Sequence, residues 1–145
     1  MREILFRGKR VDNGEWVQGF YALFASNKGL KHGIYTVAEN GCIIPYEVDL
    51  ETVGQYTGLI DKNCKKIFEG DIVKWYSELV VVKFGEYDSI EQSYEVGNHF
   101  RKVDKFGWFG ERQNCCSKGI EVILLKDGEV IGNIHDNPEL IKKKK

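Results

Sequence analysis

Three dipeptides constrain this chain more than any other feature. Asn13-Gly14, Asn40-Gly41 and Asp127-Gly128 each stand between apolar runs. Asn-Gly and Asp-Gly tolerate the positive φ of tight hairpin turns, so each is expected to close an antiparallel hairpin. The first would join residues 3–10 to 15–22, the second 33–38 to 42–46, and the third 119–125 to 129–134. In the second arm of the first hairpin, the two-residue period of a strand points Trp16, Gln18 and Phe20 one way. Val17, Gly19 and Tyr21 point the other way. Val122, Ile123, Leu124 and Leu125 are apolar on both faces and read as a central, covered strand.

The rest of the chain keeps to the same style. Residues 53–59 and 65–68 read as strands around the turn Asp61-Lys62-Asn63-Cys64, and residues 72–76 and 79–84 as two more. Asp49 is placed to cap a short turn over Leu50-Glu51-Thr52, and Asn137-Pro138 opens a final helical turn. Tyr87, Ile90 and Tyr94 have helical spacing, enough for two turns at most. Residues 85–119 otherwise read as an irregular insertion. With 16 glycines, 2 prolines and few helical segments, the expected fold is all-β or mostly β. It is expected to form two small hairpin-rich, barrel-like units, residues 1–69 and residues 70–145, the second SH3-like. The alternative is one compact domain over residues 1–141.

Several classes of function find no support. No apolar run approaches the roughly 18 residues that cross a bilayer, and the N-terminus lacks the apolar core of a signal peptide. The expected location is therefore the cytoplasm. Cys42, Cys64, Cys115 and Cys116 lack zinc-ligand spacing and are expected to be free thiols. There is no phosphate-binding glycine loop, no serine elbow and no paired-histidine metal motif. His135-Asp136 is the one faint hint of a metal-dependent hydrolase, and a turn explains it better. No cofactor is expected.

Binding has more support than catalysis. Arg7 and Lys9 share one strand face about 7 Å apart, a spacing that suits an anionic ligand such as a nucleotide. The candidate ligand contacts are Arg7, Lys9, Trp16, Tyr56 and Trp75. Lys74, Trp75 and Tyr76, with Lys83 and Phe84, have the composition of a base-stacking surface. Nucleic acid is nevertheless disfavoured, because residues 71–141 carry 8 basic against 13 acidic side chains. Tandem hairpins leave edge strands that need cover, and 8 Phe, 7 Tyr and 3 Trp are a surplus for a chain of 145 residues. Self-association into a homo-oligomer is the expectation that follows.

Three stretches together resemble the YopX family of phage and prophage proteins. The first runs from Arg2 through Ile4-Leu5-Phe6-Arg7-Gly8-Lys9-Arg10 to Gly14-Glu15-Trp16-Val17-Gln18-Gly19. The second is Glu51-Thr52-Val53-Gly54-Gln55-Tyr56-Thr57-Gly58-Leu59, Asp61-Lys62-Asn63 and Ile67-Phe68-Glu69-Gly70-Asp71-Ile72-Val73. The third is Val130-Ile131-Gly132-Asn133-Ile134 with Asn137-Pro138-Glu139-Leu140. Cys64 stands where the family pattern has glycine, at a position expected to need positive φ, and Leu50 where the family often has proline. The resemblance implies a β-rich phage protein with no assigned catalytic residues. Its motif glycines and apolar residues are expected to serve geometry and packing. The functional expectation is a non-enzymatic accessory protein that binds a host macromolecule or assembles with itself. One alternative is a sponge or sensor for a nucleotide or other anionic small ligand that counters host defence; another is a nucleic-acid-binding module or weak metal-dependent hydrolase.

Overall fold

The computed structural model describes residues 3–93, 99–113, 116–125 and 128–141. Expectations for Tyr94, Cys115, Asp127 and the closing lysines lie outside the described residues. The fold is all-β, built on antiparallel sheets. No helix among the described residues is long and apolar enough to cross a membrane. The chain divides into two compact units, Met1–Leu59 and Ile60–Lys145.

The first unit contains β1 (Phe6–Lys9), β2 (Trp16–Ser26), β3 (Gly29–Val37), β4 (Ile43–Glu47) and β5 (Gly54–Ile60). Their order in the sheet is β4-β3-β2-β1-β5. Both Asn-Gly hairpins form, but only their glycines take positive φ, 72° at Gly14 and 85° at Gly41. Arg10 and Glu15 close the first loop over residues 11–14, and Ala38 and Cys42 close the second over residues 39–41. The loops join β1 to β2 and β3 to β4, both antiparallel. Beyond β4 the chain returns to β1. Arg10 bridges to Val48, and Asp49 N–H donates to the Lys9 carbonyl at 2.9 Å. This return ties the end of β4 back to β1, and Ile34 and Val48 are buried. Gly8 makes this return possible, since a Cβ there would lie 3.0 Å from the Cβ of Val48. Asp49 caps the 3₁₀ turn Leu50–Thr52, its carboxylate accepting from Glu51 N–H at 3.1 Å.

The second unit contains β6 (Lys66–Phe68), β7 (Asp71–Trp75), β8 (Glu78–Ser93), β9 (His99–Arg112), β10 (Lys118–Gly119), α1 (Ile120–Leu125) and β11 (Glu129–Asn133). Its five-stranded sheet has the order β10-β9-β8-β7-β11. Two expectations are overturned. Most of the segment read as irregular is one long β8–β9 hairpin, in continuous register from Val80↔Arg112 to Ser93↔His99. Tyr87 lies on its first strand, so the helical spacing from Tyr87 was fortuitous. Residues 120–125 form a helix instead of a strand. Ile123 is fully buried there, because Gly110 has no side chain to obstruct it. β11 accordingly pairs with β7 and makes no hairpin with residues 119–125.

The β8–β9 hairpin bends at a directly opposed glycine pair, Gly85↔Gly107. Their φ angles are 142° and 144°, and a Cβ at either would meet nothing within 4 Å. The backbone angle, and not crowding, is what requires glycine here. Tyr87 stacks on Phe109 at 4.7 Å although its register partner is Lys105, four residues away. In flat strands that offset would be roughly 13 Å.

Candidate functional site

The cation pair of β1 is formed as the strand period requires. Lys9 lies opposite Trp16 and Arg7 opposite Gln18. Both cations cover one indole, with the Arg7 guanidinium 4.7 Å and the Lys9 ammonium 5.7 Å from the centre of the Trp16 ring. Arg7 is buried, while Lys9 and Trp16 are half-buried. Tyr56 is buried on β5, which pairs with β1 at Arg7↔Gly54. Four of the five candidate ligand contacts therefore fall in the first unit. Trp75 belongs to the second, at the end of β7, where the Arg112 guanidinium lies over its ring at 5.2 Å. Arg112 in turn pairs with Glu78 at 2.7 Å.

The outer face of β2–β4 was not singled out from the sequence. Its side chains follow from the register: Phe20 opposite Tyr35, Tyr35 opposite Pro45, and Val37 opposite Ile43. Phe20, Val37 and Ile43 are 63%, 65% and 67% exposed. Phe24 packs edge-on to Tyr35 with ring centres 6.5 Å apart. The only charges at these strand positions are Lys31 and Glu47, which approach each other to 3.9 Å. The alternation already put Trp16, Gln18 and Phe20 on one face. What it lacked was the pairing that gathers Val37 and Ile43 beside Phe20.

The β8–β9 hairpin carries a second surface. Phe84 contacts Phe106 at 5.3 Å and Trp108 at 4.9 Å, with Phe84 and Phe106 51% and 69% exposed. Further along the same face, Asp88 stands directly opposite Asp104. Lys102 bonds to Asp88 at 3.1 Å. Hydrogen bonding to Asp88, and its charge, push the Asp104 carboxyl above the usual range. The hydrogen bond from Lys102, with one from Asp104, holds Asp88 below it. A cleft of about 640 Å³ at the bend is lined by these carboxylates, Glu86, Tyr87, Phe106 and Phe109, among others. No cluster of three or more His, Cys, Asp or Glu among the described residues could hold a metal.

Motif residues of the second unit make buried connections. Asp61 receives three backbone N–H groups, from Asn63, Lys65 and Val130, each at 2.9 Å. Burial pushes its carboxyl up, but those donors outweigh burial and hold it below the usual range. Asp71 accepts from Phe68 N–H at 2.8 Å. Asn133 organises the last turn, its side-chain oxygen accepting from His135 and Asp136 N–H, and its amide donating to Asp136. His135-Asp136 thus stands in a turn. Asn137 does not cap the 3₁₀ turn Pro138–Leu140; its oxygen accepts from Asn133 N–H at 3.3 Å. Gly132 leaves room for that amide, since a Cβ there would collide with its oxygen.

Residues 5–142 match the family described as YopX protein. The chain belongs to the YopX family. Among curated proteins, none matches it. In this YopX-family chain the motifs that carry the resemblance build turns, buried carboxylates and close backbone contacts. The exposed aromatic surfaces lie largely outside those motifs.

Proposed function

We propose that this YopX-family protein is a non-enzymatic phage or prophage accessory protein that works by assembling with copies of itself. One observation carries the reading: the outer face of β2–β4 presents Phe20, Val37 and Ile43 side by side, each more than three-fifths exposed. Burying each would contribute roughly 1–2 kcal/mol, and contiguous apolar patches mark association surfaces. A second copy suits this face because its two charges compensate each other. Pro45 lacks an N–H and interrupts the outer edge of β4, so the association is face to face.

The test is light scattering coupled to size exclusion, on the wild type and on Phe20→Lys and Ile43→Lys. A discrete wild-type oligomer that both variants reduce to folded monomer is expected. A wild-type monomer up to its solubility limit overturns the reading.

A second reading, an anionic small ligand, is favoured by the two cations stacked on Trp16. Native mass spectrometry separates the two. A small anionic mass that is lost in Lys9→Ala supports the ligand.

A further inference from the structure

The bent β8–β9 hairpin carries the next inference, and it does not depend on self-assembly. Alternate residues of β8 share a face. On that face Phe84, Phe106 and Trp108 are in mutual contact around Phe84 and two of them are more than half exposed. Glu86 lies opposite Phe106, and Asp88 opposite Asp104. Of these three carboxylates, only Asp88 has an ion-pair partner among the described residues, Lys102. Arg101 and Lys105 occupy the intervening positions of β9. The face therefore joins exposed rings to carboxylates in excess of cations. Directly opposed like charges destabilise a strand pair, so the arrangement is costly to the hairpin alone.

We propose that this face docks an arginine-bearing segment of a partner protein. A guanidinium is planar and stacks on an aromatic ring while its N–H groups fork onto a carboxylate. Phe106 beside Glu86, and the Asp88–Asp104 pair beyond, offer both contacts in sequence along one strand pair. An acidic segment would meet repulsion here. A purely apolar one would leave the carboxylates uncompensated.

The test uses a capped hexapeptide of alternating arginine and alanine, titrated calorimetrically at low salt into the full chain. Saturable binding is expected, weakened about fivefold or more by Phe106→Ala, the order expected for a lost cation–ring contact, and also by Asp104→Asn. Asp104→Asn relieves a like-charge opposition, so the hairpin should remain folded by circular dichroism. Phe20→Lys should bind the peptide as the wild type does, which separates this surface from the assembly face. Absence of saturation overturns the proposal. So does equal affinity in Phe106→Ala and the wild type, because that would be charge attraction without the rings.

Discussion

The carboxylate of Asp61 accepts the backbone N–H of Val130 at 2.9 Å, tying a turn to a strand 69 residues further along the chain. The same carboxylate holds its own turn through Asn63 and Lys65. One side chain thus fixes both the turn and the position of β11.

Asp61→Ala should leave three backbone donors without that acceptor and cost about 3 kcal/mol, within the range for losing a buried charged hydrogen-bond partner. Asp61→Asn should cost less, because one acceptor oxygen remains. The pH dependence follows from the lowered carboxyl. The folded form binds its proton less readily than the unfolded chain, so the stabilisation is complete above the unfolded value. It is lost as pH falls through the lower folded value, below the ordinary 3.8. Urea midpoints of wild type and Asp61→Asn should converge under acid; parallel curves down to that range would contradict this account.

Cys64 has φ of 63°, the left-handed conformation expected at that turn position. Glycine adopts it without steric cost. Cys64→Gly should raise stability by about 0.5–1 kcal/mol, read as a higher denaturation midpoint with unchanged slope.

At Gly107 the obstacle to a side chain is conformational, since space is free around it. Gly107→Val should therefore destabilise the hairpin by about 1–3 kcal/mol, the range for a residue held in a disfavoured backbone region. Loss of the Tyr87–Phe109 stack would appear in near-ultraviolet circular dichroism and in hydrogen exchange at residues 85–89 and 103–107. Unchanged exchange there would mean that the bend does not need glycine.

Asp88 and Asp104 should titrate apart. Carbon-detected NMR should show the Asp104 carboxyl losing its proton at higher pH than Asp88, as expected with Lys102 bonded to Asp88. Asp88→Asn should lower the Asp104 transition. An Asp104 transition indifferent to that change would show that the two carboxylates do not face each other in solution.

Local chemistry made much of the first unit legible. Asn-Gly turns set the φ of Gly14 and Gly41 directly, and strand alternation separated Phe20 from Tyr21 before any contact was known. The third turn signal failed as a hairpin because residues 122–125 are apolar on both faces, a pattern shared by a buried strand and a buried helix. Ile123 settled the matter by filling the space above Gly110, a contact made between distant parts of the chain. The β8–β9 hairpin was hidden for a related reason. Its polar strand residues resemble a loop in composition, and only pairing over Val80–Ser93 and His99–Arg112 reveals the strands.

The sequence by itself determined the family, the β class, the two Asn-Gly hairpins and the left-handed angle at Cys64, all set by short-range backbone preferences and characteristic motifs. Tertiary structure alone decided that Val37 and Ile43 join Phe20 on one open face, and that Asp88 meets Asp104 beyond a cluster of rings. Those juxtapositions depend on which strands pair and in what register, and pairing is a property of distant segments that no local preference encodes.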